Sequence, residues 1–471
     1  MRITEHPILS FSSGDTVNFT YEGKEITGRK GETIAAALHN EGIKELRRSG
    51  EKDRPRGLFC AIGKCSSCLM KVDGTPNVRT CITQVKEGMS VEKQSGFPEL
   101  PKGSESLEAD PITAIQTDVL VVGGGPAGLR AALTAAGAGA SVTIVDENPF
   151  LGGQLVKQTH KFFGSSQEEA GERGIDIGKE LVDRVEENGN IESMTSTSAI
   201  GIYENSVGVY RNQKEFQKIK PTKTIVATGA TEDTVKFPNN DLPGVYGAGG
   251  VQTLMNVYGV KPGEEVLMVG AGNVGLIVAY QLLQADVNVK AVVEIAPEIG
   301  GYFVHAAKIR RFGVPILTSH KILKAEGEQS LERVFVAEVD GKGSIVEGTE
   351  EEYEVDVLAL GVGLSPSYRL LHHANCELEH ESRLGGYVPK RNSRMKTTRN
   401  DVYAVGDVAG IEEATSAALE GTIAGADAVL ELGMGGNEEE KIIDDSRSRL
   451  KTLRSGPYYE ELREGLEEVH Q

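Results

Sequence analysis

Two stretches of this chain repeat one arrangement that few folds accommodate. In the first, Asp118-Val119-Leu120-Val121-Val122 reads as a buried strand running into Gly123-Gly124-Gly125-Pro126-Ala127-Gly128. Leu129 to Ala138 is then helical in pattern, Val142 to Val145 is a second strand, and Asp146 stands eighteen residues beyond Gly128. In the second, Glu265-Val266-Leu267-Met268-Val269 leads into Gly270-Ala271-Gly272-Asn273-Val274-Gly275, and the closing strand ends at Glu294. The match extends past the motif, because Gly152-Gly153 follows Asp146 and Gly300-Gly301 follows Glu294 with the same gap of six. Strand, glycine turn, helix, strand and terminal acid in this order make a βαβ dinucleotide-binding unit. The first glycine permits the tight turn, the second lets backbone approach a pyrophosphate, and the third lets helix pack on strand, while the helix N-terminus supplies positive potential. Asp146 is placed to accept from ribose hydroxyls, with Glu147 as its rival. Two copies imply two nucleotides, and the acid at each strand end favours NAD over NADP. The fold class predicted is α/β with two Rossmann-like domains.

The N-terminal hundred residues follow a different pattern. Val17-Asn18-Phe19-Thr20-Tyr21 alternates like a strand, Glu22-Gly23-Lys24 turns it, and Thr33 to Leu38 gives a short Ala-rich helix before Gly42. Four of the five cysteines follow within 22 residues as Cys60, Cys65, Cys68 and Cys81, a C-x4-C-x2-C-x12-C pattern. Such crowding points to a metal centre rather than a disulfide framework. The small residues Ala61, Gly63, Ser66 and Ser67 let backbone N–H groups point at sulfur, and such hydrogen bonds tune a cluster's potential. Zinc sites usually draw two ligands from each of two separated knuckles, whereas here one loop supplies three. The spacing is that of plant-type ferredoxins, and the run through Val72-Asp73-Gly74 to Val78-Arg79-Thr80-Cys81 resembles the ferredoxin modules attached to sarcosine oxidase and hydrogen cyanide synthase relatives. The resemblance implies a β-grasp domain holding a 2Fe-2S cluster.

Further along, Lys223-Thr224-Ile225-Val226-Ala227-Thr228-Gly229 is a strand ending in small residues, with Asp356-Val357-Leu358-Ala359-Leu360-Gly361 as its counterpart. Asn400-Asp401-Val402-Tyr403-Ala404-Val405-Gly406-Asp407 puts a carboxylate at a strand end, and a helix starts near Ala414-Thr415-Ser416. From residue 116 to about 432 this order resembles the two-dinucleotide-binding-domain flavoproteins. That resemblance implies FAD at Gly123, Gly125, Pro126, Ala127, Gly128, Asp146, Glu147, Gly153, Gln154, Thr228, Gly229, Gly406 and Asp407. NAD(H) or another adenine nucleotide is expected at Gly270, Gly272, Asn273, Val274, Gly275 and Glu294. Thr415 and Ser416 are read two ways, as flavin contacts at the helix N-terminus or as an ordinary N-cap region. The expected organisation is a 2Fe-2S domain at 1–97, a polar linker at 98–115, a first FAD half at 116–240, an inserted nucleotide domain at 241–354, a second FAD half at 355–432 and a charged helical tail at 433–471.

Composition narrows the function. A net charge of -19 opposes nucleic acid or anionic lipid as a general partner. No stretch approaches the roughly 20 apolar residues of a membrane span, and Met1-Arg2-Ile3-Thr4-Glu5-His6 lacks the apolar core of a secretory signal, so a cytoplasmic protein is expected. Disulfide reductase chemistry needs a cysteine pair beside the flavin, and outside the cluster only Cys376 remains. His305, His372 and His373 stand in no catalytic spacing, and no catalytic side chain is assigned, because hydride transfer between nicotinamide and flavin needs positioning alone. The domain order, with Val145-Asp146-Glu147-Asn148-Pro149 leading to Gly152-Gly153-Gln154-Leu155, resembles the α subunits of heteromeric amine and imino-acid oxidoreductases: sarcosine oxidase, proline or hydroxyproline dehydrogenase, opine oxidase and hydrogen cyanide synthase. It implies a partner in the form of a substrate-oxidising flavoprotein β subunit, with a small electron-transfer subunit or ferredoxin as a further one. Residues 433–471 depart from several such relatives in holding no cysteine, and Tyr458-Tyr459-Glu460-Glu461-Leu462 reads as a terminal helix, either partner-docking or solvated. Three readings remain open: a relay subunit, a self-contained NADH-dependent reductase, and a nucleotide-retaining scaffold.

Overall fold

The structure, a computed structural model, describes residues 1–11, 14–98, 114–162, 167, 169–212, 214–456 and 459–470. The linker expected at 98–115 falls almost wholly outside the described residues, as does Tyr458. The chain divides into two compact units, Met1–Gly103 with Glu232–Gly363, and Ser104–Thr231 with Leu364–Gln471.

In the first of these units the N-terminal module is a five-stranded sheet in the order Lys24–Arg29, Thr16–Tyr21, Ser90–Glu92, Leu69–Val72, Thr75–Arg79. Thr16–Tyr21 and Ser90–Glu92 run parallel, and the remaining neighbours are antiparallel. Its two hairpins close over Glu22-Gly23 and Asp73-Gly74, all four residues at positive φ, as two-residue loops matching the twist of the strands require. The helix Ile34–Asn40 starts one residue later than expected, because the Thr33 hydroxyl caps it by accepting from the Ala36 N–H. Ile34 to His39 are all buried against the sheet, which completes a β-grasp fold.

The nucleotide domain of the same unit is a parallel sheet in the order Val245–Gly247, Val357–Leu360, Glu265–Val269, Asn288–Val293, Ile316–Leu317. The strand Val357–Leu360 was expected in the second FAD half at 355–432; it lies instead between two strands of this sheet, where all four residues are buried. The reason is legible in its composition, since a run of Val, Leu, Ala and Leu suits a central parallel strand covered on both faces. The module and the nucleotide domain share one core, with Leu38 and Leu58 in the same buried group as Tyr246, Val251 and Met255. His39 Nε2 meets the Tyr246 hydroxyl at 2.8 Å, Lys44 Nζ meets Asp356 Oδ2 at 2.9 Å, and both Arg54 and Arg56 pair with Asp241.

The other unit is built on a seven-stranded sheet. Ile191–Met194, Val142–Val145, Ala114–Val122, Glu215–Val226 and Val402–Ala404 run parallel, and Val207–Arg211 and Thr197–Ile202 add an antiparallel edge. The helix Pro126–Gly137 begins with Pro126, whose fixed φ and missing N–H suit a first turn. It packs against Ala414–Glu431 at glycines: a Cβ at Gly421 would collide with Ala127 O, and one at Gly425 would lie 2.5 Å from Ala131 O. The tail, read as partner-docking or solvated, packs on its own unit. Asn437–Leu453 buries Ile443, Ser446 and Leu450, a stripe at i, i+3 and i+7, and the helix Glu460–Glu468 lays Leu462 and Leu466 on Leu384 and Val388. No helix among the described residues is long and apolar enough to cross a membrane.

Candidate functional site

Both glycine loops sit at the carboxyl ends of their parallel strands, the usual place for ligands in open α/β sheets. In the first, Gly123 has φ +109°, and a Cβ there would run into Ala227 O at the end of the neighbouring strand. A Cβ on Gly128 would collide with Gly123 O, whereas at Gly125 the nearest atom is Gly153 Cα at 3.8 Å. The outer glycines are thus required by the protein's own backbone, and the middle one leaves an open approach. The second loop repeats this: Gly270 faces Gly361 O, Gly275 faces Gly270 O, and Gly272 has nothing within 4 Å. The helices Pro126–Gly137 and Asn273–Gln284 start directly after these open glycines, which are their N-caps. Such a cradle fits a pyrophosphate.

The strand-end acids, of which Asp146 was expected to accept from ribose hydroxyls, bond their own glycine loops. Asp146 Oδ2 accepts from the Gly124 N–H at 2.7 Å and its Oδ1 from the Asn148 N–H at 2.8 Å. Glu294 does the same, with Oε2 taking the Ala271 N–H at 2.7 Å and Oε1 the Ala296 N–H at 2.9 Å. Each carboxylate braces its glycine loop. Burial raises the pKa of Asp146, and the Asn148 and Gly124 N–H groups oppose that shift. Glu147, its rival for the ribose, is half-buried beside it. Gly153 lies close over Gly125, and Gln154 is exposed.

Opposite the first loop, the Thr228 hydroxyl donates to Ser367 O at 3.1 Å and Gly229 takes φ +66°. Gly406, at φ +69°, donates its N–H to Glu420 Oε2 at 2.9 Å. Burial, reinforced by the Glu412 and Glu420 charges, pushes Asp407 up to about 7. The helix Ala414–Glu431 has Glu413 as N-cap, so Thr415 and Ser416 belong to its first turn rather than forming the cap. Sequence reasoning missed Glu420, Arg391, Glu412 and Arg454, although one signal was present. Glu420 is the single acid between Ala414 and Ala426, in an Ala- and Gly-rich helix, and such a buried acid calls for a cationic partner. Its side chain is 2% exposed; burial alone would raise its pKa, yet Arg391 and Arg454 hold it down to about 2.

The cysteine loop of the N-terminal module turns through positive φ at Ala61, Gly63 and Ser66, which aims backbone N–H groups inward. Gly63 N–H reaches Cys81 Sγ at 3.3 Å, and the N–H groups of Ile62 and Cys65 point at the Cys60 sulfur. The four thiols form a chain of contacts, Cys65 to Cys60, Cys60 to Cys81 and Cys81 to Cys68. Among the described residues no three His, Cys, Asp or Glu side chains converge on one ion position; a binuclear cluster asks only two thiolates of each iron. Cys376 is buried with its thiol 3.4 Å from the Thr397 hydroxyl, and burial pushes its pKa up. A cavity of about 810 Å³ lined by Tyr203, His373, Arg399 and Asp401 opens near the amino end of Val402–Ala404, the opposite end from the glycine loop.

Taken together, the fold, the two glycine cradles and the cysteine loop are those of a dinucleotide-binding flavoprotein fold that carries a 2Fe-2S ferredoxin-like domain. The chain belongs to the pyridine nucleotide-disulphide oxidoreductase family, matched over residues 117–421, and residues 14–96 match a 2Fe-2S iron-sulfur cluster binding domain. It is 28% identical over 422 residues to the alpha subunit of sarcosine oxidase from Rhizobium meliloti (strain 1021), covering 76% of this chain and 40% of that subunit. It is 28% identical to an opine oxidase subunit of Rhizobium meliloti, over 67% of this chain and 63% of the relative. Among solved structures, L-proline dehydrogenase from P. horikoshii superposes with a TM-score of 0.71 at 25% identity, over 94% of this chain and 79% of that one. The chain spans less than half the length of the sarcosine oxidase subunits it matches.

Proposed function

We propose that the chain is the FAD- and 2Fe-2S-bearing electron-transfer subunit of an amine or imino-acid dehydrogenase or oxidase complex, working with a substrate-oxidising flavoprotein subunit in the cytoplasm. The observation that carries this is the pairing of a cysteine-rich ferredoxin loop with a flavoprotein glycine cradle, in a chain whose relatives are named as subunits of sarcosine and opine oxidases. FAD accepts electrons in pairs and passes them singly, which suits a one-electron iron-sulfur acceptor. In this reading Gly123, Gly125 and Gly128 shape the flavin pyrophosphate site, and Asp146 braces that loop while Glu147 reaches the ribose. Thr228, Gly229, Gly406, Asp407 and Thr415 face the same cofactor, and Cys60, Cys65, Cys68 and Cys81 ligate the irons. The cradle at Gly270, Gly272, Asn273, Val274 and Gly275, braced by Glu294, takes NAD(H) or another adenine nucleotide.

Co-purification tests the proposal. A natively isolated chain is expected to bring a second flavoprotein subunit with it, and a chain that comes alone and binds no such subunit sinks the relay reading. A second reading, a self-contained NADH-dependent reductase, is favoured by one observation: the second glycine loop is intact and braced by an acid. Anaerobic mixing of the cofactor-loaded chain with NADH separates the two. Immediate bleaching of flavin and cluster absorbance supports the reductase, and bleaching only after partner and amine are added supports the relay.

A further inference from the structure

The end of the chain reaches into the neighbourhood of Gly406-Asp407. The helix Asn437–Leu453 is held on its unit by buried Ile443 and Leu450, and Arg454 is its C-cap residue. Arg454 Nε donates to Glu412 Oε2 at 2.9 Å, and its Nη2 donates to Glu412 Oε1 at 2.5 Å and to Glu420 Oε1 at 2.7 Å. Arg391 grips Glu420 as well, through Nη1 to Oε2 at 2.7 Å and Nη2 to Oε1 at 2.6 Å. Glu420 Oε2 also accepts from the Gly406 N–H, and the Glu412 N–H lies 3.5 Å from Asp407 Oδ1. Two guanidiniums therefore meet two carboxylates, Glu412 and Glu420, whose side chains are only 5% and 2% exposed, and Asp407 stands beside the pair through the Glu412 N–H. Arg463, in the last helix, donates to Gly456 O at 3.0 Å and holds the turn that follows Arg454. The family match ends at residue 421, so Arg454 comes from outside it.

We propose that Arg454 is a positioning residue for the flavin: from the C-terminal segment, and through Glu412 and Glu420, it fixes the Gly406-Asp407 turn that faces the cofactor. The inference rests on the assignment of FAD to the first glycine loop and to this turn. Removing Arg454 leaves Glu412 and Glu420 with Arg391 as their one guanidinium, and a buried carboxylate without its cation either moves toward water or takes a proton. Both responses shift Gly406 and Asp407 from the positions that the paired network gives them.

The test uses the full chain with its cluster, comparing Arg454→Met, Arg454→Lys and the double variant Arg454→Met with Glu412→Gln. FAD affinity is measured by fluorescence titration at pH 6 and pH 8, with cluster absorbance and circular dichroism reporting folding. Arg454→Met is expected to bind FAD about 10- to 100-fold more weakly at pH 8 and to lose less at pH 6, because a proton then replaces the missing cation. The double variant is expected to recover most of the affinity, and Arg454→Lys to fall between. Wild-type affinity and pH profile in Arg454→Met overturn the inference. So does a double variant no better than the single one, since the loss would then come from tail docking rather than surplus charge. If Arg454→Met does not fold, the same contrast is read between Arg454→Lys and the double variant. A wild-type chain that takes up no FAD overturns the flavin assignment itself, a result distinguishable from the others.

Discussion

Gly124 and Ala271 hold the same place in the two glycine loops, yet only the second carries a Cβ. Each donates its N–H to the strand-end acid at 2.7 Å, to Asp146 in one loop and Glu294 in the other. A Cβ at Gly124 would collide with Leu151 and stand 3.2 Å from Asp146 Oδ2, whereas Glu, one methylene longer, braces its loop from further off and the methyl of Ala271 packs fully buried. The next shell diverges further. Leu155 and Phe303 occupy equivalent places after the paired glycines, and Leu155 is 2% exposed while Phe303 is 78% exposed. Val274 and Ile295 also stand exposed around the second loop. One local pattern thus produces two cradles, and what is packed over each sets the difference. A walled cradle suits a cofactor retained through turnover; one with an open apolar rim suits a nucleotide that exchanges or a surface that another chain covers.

The comparison breaks hardest at the first glycines. Gly123→Ala combines positive φ with a collision against Ala227 O, and its expected cost of about 3 kcal/mol or more appears as loss of bound flavin and of stability in denaturant titration. Gly270→Ala carries the same strain against Gly361 O but is expected to leave flavin content intact while abolishing nucleotide binding at the second loop, read by calorimetric titration. Leu155→Ala should cost about 2–5 kcal/mol of stability. Its counterpart Phe303→Ala should stay within about 0.5 kcal/mol, and equal costs would show the second rim to be covered after all.

Exchanging the second loop residues is the finer test. Gly124→Ala is expected to destabilise by about 1–3 kcal/mol through overpacking against Leu151. Ala271→Gly should cost only about 0.5–1 kcal/mol from added backbone freedom. A further effect is one of pH. Asp407 has its pKa raised from 3.8 to about 7, so its stabilising contribution is fully present below pH 3.8 and is lost as pH rises through about 7. Asp407→Asn is expected to remove that slope between about pH 4 and 7 in denaturation midpoints, and an unchanged slope would place the titration elsewhere.

His39 provides the opposite sign in the other unit. Burial, with Lys44 nearby, lowers it to about 3, so the neutral ring bonded to Tyr246 contributes stability above about pH 6.5 that is lost as pH falls toward 3. His39→Gln is expected to flatten that acid limb.

What could be read from the chain alone was whatever depends on short-range geometry. The strands at Val142–Val145 and Glu265–Val269, the glycine turns, the strand-end acids and the cysteine spacing are each set within one βαβ unit or one loop, so local sterics and hydrogen bonding dictate them. The helix beginning at Ala414 is of this kind too. The tertiary structure decided what depends on distant partners. Val357–Leu360 is buried strand by composition in any sheet, and only its pairing with Val245–Gly247 and Glu265–Val269 places it in the nucleotide domain. Asp146 could serve a ribose or its own loop, and the 2.7 Å bond to Gly124 shows it bracing the loop. The tail is charged enough to read as solvated, yet Arg454 ends among Glu412 and Glu420, because burying those two carboxylates is tolerable only where a cation from elsewhere in the chain meets them.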